Sequence, residues 1–192
     1  RSSYRTPAEI EFEQRFVGGS TRELLDFDPI KRLKELRQKP LPGTPPNDVP
    51  VIVHLSMYCN KSFPVRIFHA LSLKDELNSH AVFFKNNFTN EHLPVSEKEL
   101  ALLTDLIRTI NPTLITLSVL APYVVETRRA VEALRKISDA PIVIGGKYST
   151  IVPHEALDFV DYACKGEGEL VLLQVHERLR RGEDLDGIRG LW

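Results

Sequence analysis

The residues with the most chemistry to offer are six histidines and two cysteines. The histidines are His54, His69, His80, His92, His154 and His176. No pair has a metal-site spacing such as His-Glu-x-x-His, so each reads as a surface or hydrogen-bonded histidine and not as a ligand. Cys59 and Cys164 lie far apart and share no Cys-x-x-Cys spacing. A thiolate zinc or iron–sulfur site takes about three or four such ligands, so this chain does not build one alone. Both cysteines read as free thiols in a reducing cytoplasm. Cys164 follows an apolar run and is expected to be buried, whereas Cys59 falls in a loop. No residue takes a catalytic or metal-binding role on this reading.

What remains are short clusters of small and polar residues. The stretch SMYCNKSF holds Asn60, Lys61 and Ser62, which can contact an anion; a solvated loop explains them equally well. It contains no G-x-G-x-x-G and no Walker-A pattern, which disfavours a phosphate-cradling dinucleotide site. No acidic cluster is present to hold a divalent cation. Ser118 closes an apolar run and is followed by Val119 and Leu120. No G-x-S-x-G elbow surrounds it, which disfavours a hydrolase nucleophile. Gly145-Gly146, followed by Lys147, leaves no side chain to block a flat ligand, and it also suits a tight turn. Gly166-Glu167-Gly168-Glu169 opens a helix, where either glutamate complements the dipole and capping is a complete explanation.

These clusters fall at regular places between apolar segments. The strands are read at Val49–Leu55, Ala81–Phe84, Leu114–Val119, Pro141–Ile144 and Val160–Cys164. Helices are read over Pro64–Leu77, from Ser96 to about Ile110, from Pro122 to about Ile137, over Pro153–Phe159, and from the GEGE run to Arg181. Ser96 and Glu99 stand at capping-box positions. Strands with no polar alternation imply a parallel sheet covered on both faces. With right-handed crossovers, five strands give an α/β doubly wound domain in the flavodoxin-like order 2-1-3-4-5. Ahead of it, residues 1–48 form a separate appendage: a helical stretch from about Arg22 to Gln38, then the proline-rich linker KPLPGTPPNDVP.

The chain has 192 residues, with 25 basic against 26 acidic ones and a net charge of −1. That balance argues against a dedicated nucleic-acid or membrane-surface binder. No apolar run approaches the roughly 20 residues that span a bilayer, and no signal-peptide pattern opens the chain. In open α/β sheets ligands bind beyond the carboxyl ends of the strands, where strand order reverses. The loops Ser56–Phe63, Ser118–Pro122, Gly145–Thr150 and Lys165–Glu169 border that crevice.

Over residues 112–192, and less closely over 50–111, the chain resembles the cobalamin-binding domain that precedes the barrel of many radical S-adenosylmethionine enzymes. The resemblance rests on LITLSVL, APIVIGGKYSTIVPHEAL, VDYACKGEGELVLLQV and GEDLDGIRGLW taken in order. It implies that Ser118-Val119-Leu120 and Gly145-Gly146 surround the nucleotide tail of a cobalamin. With the crevice loops, the expected cofactor-binding set is Asn60, Lys61, Ser62, Ser118, Val119, Leu120, Gly145, Gly146, Lys147, Gly166 and Glu167. The family's Asp-x-His-x-x-Gly loop, which supplies an axial histidine in one branch, is absent after the first strand. A bound cobalamin is therefore expected without a protein histidine on cobalt. The resemblance also implies a C-terminal barrel of the same polypeptide, holding a 4Fe-4S cluster and S-adenosylmethionine and acting on a small organic substrate. Because the chain opens without Met and stops at Trp192, it is read as an excised amino-terminal module. The alternatives are the same fold without cofactor, serving as an interaction or scaffold domain, and a flavin or nucleotide domain, which the missing phosphate loops disfavour.

If few core contacts cross the proline linker, a chain beginning at Val49 should unfold in one cooperative transition. Denaturant melts followed by circular dichroism check this. A non-cooperative profile would place the 22–38 stretch in the core.

Overall fold

A computed structural model describes residues 49–58, 61–85 and 93–192. The expected appendage over 1–48, and with it Cys59, Asn60 and His92, lies outside the described residues.

Five strands form one all-parallel sheet: β1 (Val51–Met57), β2 (Asn78–Phe84), β3 (Leu114–Ser118), β4 (Ile142–Gly145) and β5 (Tyr162–Ala163), in the order β2-β1-β3-β4-β5. The connecting helices are α1 (Phe63–Lys74), α2 (Glu97–Ile110), α3 (Val124–Arg135), α4 (Lys147–Ile151), α5 (Pro153–Leu157) and α6 (Gly168–Arg181). The sheet is thus the doubly wound, flavodoxin-like α/β arrangement expected. β1 sits two residues later than the apolar run suggested, and β2 begins earlier, at Asn78. Ladder hydrogen bonds to neighbouring strands override the polar side chains there. The stretch after Gly146, expected as loop, winds into α4.

Alternation divides the sheet into two unlike faces. Val53, Leu55, Met57, Ile115, Leu117, Ile142, Ile144 and Ala163 pack with α2 and α3 in one wholly buried core. Ile52, Leu114, Val143 and Cys164 face a smaller core with Val171 and Val175 of α6. Two of the helices have well-defined ends. Ser96 and Glu99 form the expected capping box at α2, with Ser96 N–H donating to Glu99 Oε2 at 2.8 Å. α1 closes in a Schellman motif: Glu76 takes φ +59° and Leu77 N–H donates back to the Ser72 carbonyl at 2.9 Å. That closure holds Asp75 at a fixed place beyond the helix. At the other edge, β5 is only two residues long, and residues 190–192 pair antiparallel along it. Ala163 and Trp192 exchange two backbone hydrogen bonds of 2.9 Å, and Cys164 bridges Leu191. This covers a sheet edge that would otherwise offer free backbone groups.

The tightest backbone approach lies between the ends of β3 and β4. Gly146 has φ +101°, and a Cβ there would stand 2.7 Å from the Val119 carbonyl oxygen. Gly146→Ala combines a strained conformation with a backbone clash and should lower stability by about 2 kcal/mol or more. Gly145→Ala, whose added carbon meets only ordinary contacts near 4 Å, should cost well under half of that. Urea midpoints of the two variants would check the difference; equal losses would contradict the contact.

Candidate cofactor cleft

The strands that carry the polar face are set by one register. β1 and β3 pair so that His54 stands beside Thr116 and Ser56 beside Ser118, and β3 and β4 so that Ser118 stands beside Gly145. On this face α1 and α6 flank the strands. At the carboxyl end they leave a cleft of about 380 Å³. Its floor is Leu114, Thr116 and Ser118 of β3, with Val143 and Gly145 of β4. Val65 and Phe68 of α1 line one side, and Val171, Leu172 and Val175 of α6 the other. The helices meet where Gly168 opens α6: a Cβ there would lie 2.6 Å from the Phe68 ring, so a larger residue would make the ring shift.

Of the expected residues, Ser118, Gly145, Gly146, Lys147, Gly166 and Glu167 all line this cleft. Val119 is buried behind it, with its carbonyl against Gly146. Leu120 is exposed beyond it, while Lys61 is exposed and Ser62 buried at the start of α1; none of the three lines the cleft. The glycine pair divides its work. Gly146 answers a backbone demand, and Gly145 is the one whose missing side chain faces the cleft, since a Cβ there would point toward Cys164. Glu167 makes no capping hydrogen bond at α6, so the expected side-chain cap does not form. Both Glu167 and Glu169 stand near Cys164. Burial, aided by these carboxylates, pushes its thiol up to about 11 and keeps it protonated.

Behind the floor runs a chain of buried polar groups that sequence reasoning missed. His54 Nδ1 lies 2.7 Å from Thr116 Oγ1, and its Nε2 lies 2.9 Å from Ser72 Oγ. Ser72 Oγ lies 3.0 Å from His176 Nε2, and His176 Nδ1 is 2.6 Å from Asp75 Oδ2. Ser72, His54 and His176 are fully buried. The chain ties α1, α6, β1 and β3 together. Burial lowers His54 from its ordinary 6.5 to about 3, with the nearby His69 and His176 adding to the effect. His176 is also lowered by burial, against the opposing pull of Asp75. Both rings are therefore neutral at pH 7. Among the described residues no group of three or more histidine, cysteine or acidic side chains is placed to hold a metal, and no helix is long and apolar enough to cross a membrane.

Neutral buried histidines have a consequence for stability. Below pH 6.5 the unfolded chain takes up protons that folded His54 refuses down to about 3. Stability is therefore full above that range and falls as pH drops, by about 1.4 kcal/mol per pH unit for each such proton. Glu99 is held at about 2 by the Ser96 backbone N–H and hydroxyl and by Lys85, and adds to the loss only as pH falls from 4.5 toward about 2. Urea unfolding at pH 7 and pH 5 isolates the histidine part: a lower midpoint is expected at pH 5, and His54→Gln should reduce the difference, with His176 leaving a remainder. Equal midpoints in the parent protein would contradict it.

No family model matches the chain, and no curated protein matches it in sequence. Solved structures do share its fold. One is the radical S-adenosylmethionine methyltransferase TsrM from Kitasatospora setae, with cobalamin and a 4Fe-4S cluster bound. The TM-score is 0.58 at 23% identity, over 74% of this chain and 27% of that one. Another is the cobalamin-dependent S-adenosylmethionine radical enzyme OxsB with aqua-cobalamin bound, at a TM-score of 0.56 and 16% identity, over 74% of this chain and 20% of that one. At these identities the likeness is one of fold. This chain spans about a quarter or less of either enzyme's length.

Proposed function

We propose that residues 49–192 are the cobalamin-binding accessory module of a radical S-adenosylmethionine enzyme. The observation that carries this reading is the cleft itself. It sits at the carboxyl edge of β3 and β4, bare of side chain at Gly145, with the Ser118 hydroxyl on its floor. A volume of about 380 Å³ suits one planar heteroaromatic arm and is too small for a whole corrin. Around the carboxyl edge of the sheet Phe63, Leu120, Val125 and Ile151 expose apolar side chains, an apolar rim for the bulk of such a ligand. The fold shared with TsrM and OxsB, both described with cobalamin bound, supports the same assignment.

When bound, the cofactor supplies the group-transfer or radical chemistry itself. The chain's own residues bind and orient it: Leu114, Val143 and Val171 exclude water from the arm, and Ser118 offers it a hydrogen bond. The sequence between Tyr58 and Ser62 contains no histidine, and His54 and His176 already bond within the buried chain. On this reading neither the loop after β1 nor the two buried histidines would offer cobalt a ligand. The remaining machinery, a barrel with a 4Fe-4S cluster and S-adenosylmethionine, belongs to a following part of the same cytoplasmic polypeptide. Its reaction is a methyl transfer, cyclisation or rearrangement of a small organic substrate.

Titration with hydroxocobalamin and methylcobalamin, followed by absorbance, tests the reading. Saturable binding is expected, with a visible spectrum that no histidine substitution alters. Gly145→Val should abolish it by filling the floor, and Ser118→Ala should weaken it about fivefold, the worth of one hydrogen bond. No saturable binding to either compound would favour the scaffold role instead.

A further inference from the structure

The hydroxyls of Thr116 and Ser118 both belong to β3 and both line the cleft, yet they are not equivalent. A carboxylate only accepts hydrogen bonds, so His176 donates from Nδ1 to Asp75 across 2.6 Å. In a neutral ring the other nitrogen is then an acceptor. Ser72 Oγ therefore donates to His176 Nε2 across 3.0 Å. With its proton committed, Ser72 accepts from His54 Nε2 across 2.9 Å. That leaves His54 Nδ1 as an acceptor, and Thr116 Oγ1 donates to it across 2.7 Å. Every link follows from the one before. At the end of the chain, Thr116 has only lone pairs left to show the cleft. Ser118, whose hydroxyl has no protein partner among the described residues, is free to donate or accept.

We propose that Asp75, at the surface end of α1, sets the hydrogen-bond polarity of the cleft by making Thr116 an obligate acceptor. The cleft therefore favours a heteroaromatic arm that presents an amino or ring N–H donor, as an adenine-type base does, over one whose free ring nitrogen only accepts, as a substituted benzimidazole does. This rests on the reading that the cleft takes the tail of a corrinoid, and it names the class of tail. The strong burial of His54, which keeps its ring neutral at pH 7, supports the argument. The groups around Asp75 leave its role intact: Arg180 donates to the Asp75 backbone carbonyl and leaves the carboxylate to His176. Asp75 itself is held by the closure of α1, its N–H bonded to the Leu71 carbonyl at 3.0 Å.

Two readouts test the proposal on the folded protein. Ring ¹⁵N shifts report which nitrogen of each histidine carries the proton. The expected pattern is Nδ1–H for His176 and Nε2–H for His54. In Asp75→Asn the amide can donate as well as accept, which opens the reverse direction along the whole chain. Both rings should then shift toward values shared between tautomers. The second readout is the ratio of affinities for an adenine-tailed and a benzimidazole-tailed cobamide. The parent protein should favour the adenine tail by about tenfold, the worth of one well-placed hydrogen bond with its unpaired alternative. Asp75→Asn and Thr116→Val should each bring the ratio close to one. A merely structural chain would lower stability in these variants and leave the ratio unchanged, and that result would overturn the proposal. So would the opposite tautomers in the parent protein. If neither cobamide binds, the corrinoid reading fails together with the tail preference, and the ¹⁵N shifts alone decide the polarity of the chain.

Discussion

The two faces of the sheet are unequal, and the rest of the structure depends on that inequality. A parallel sheet buried on both sides would ordinarily present aliphatic residues to each helix layer. Here only one face does so along its whole length, with Val53, Leu55, Ile115, Leu117, Ile142 and Ile144 under α2 and α3, while the other is apolar only at Ile52, Leu114 and Val143. The opposite face carries His54 and Ser56 on β1, Thr116 and Ser118 on β3, and Gly145 on β4. A close-packed aliphatic layer cannot form over such a column. The first face supplies much of the apolar burial and anchors the sheet. The second is left free to be a cleft at one end and a hydrogen-bonded chain behind it.

Two close approaches turn this polar face into an opening with fixed walls. Gly146 presses against the Val119 carbonyl, which joins the ends of β3 and β4 and sets the cleft mouth. Phe68 lies against Gly168, which brings the start of α6 onto the middle of α1. Below that contact, Ser72 and His176 tie the same two helices to each other and, through His54, to β1. The walls are thus pinned by backbone contact near the mouth and by hydrogen bonds deeper in. Aliphatic contacts from Val171 and Val175 fill the space between.

The topology was legible because parallel sheets write themselves as apolar runs spaced by amphipathic helices. Ser96 and Glu99 declared the start of α2, and the glycine pair marked the end of β4. The cleft was legible only by position. The crevice rule gathered Ser118, Gly145, Gly146, Lys147, Gly166 and Glu167, and it also swept in Lys61, Ser62 and Leu120, which point elsewhere. Sequence adjacency cannot show that neighbouring residues of a loop face different ways. The buried chain was missed for a related reason. His54, Ser72 with Asp75, Thr116 and His176 come from four separate segments, and each looks ordinary alone. A signal was nonetheless present: read at every second residue, VIVHLSM and LITLS place their polar residues on one side only. Treating those strands as uniformly apolar discarded it. The pairing of Trp192 with Ala163 along the outer side of β5 is a tertiary contact that no local pattern announces.

The buried chain is a poor device for stability alone. Each hydrogen bond in it contributes about 1 kcal/mol net, and desolvating two imidazoles offsets much of that gain. Aliphatic residues of similar volume would hold α1 and α6 to the sheet at least as well. What aliphatic residues cannot provide is direction. A run of groups that each donate to the next has one sense, and that sense is fixed wherever a member can only accept. Asp75 is such a member, standing at the end nearest solvent, with its side chain about a quarter exposed while the His176 side chain is fully buried. Its carboxylate can stay hydrated on one side while the buried rings remain neutral. The charge is thus kept where water can support it, and its influence is carried inward through neutral hydrogen bonds to Thr116, on the floor of the cleft.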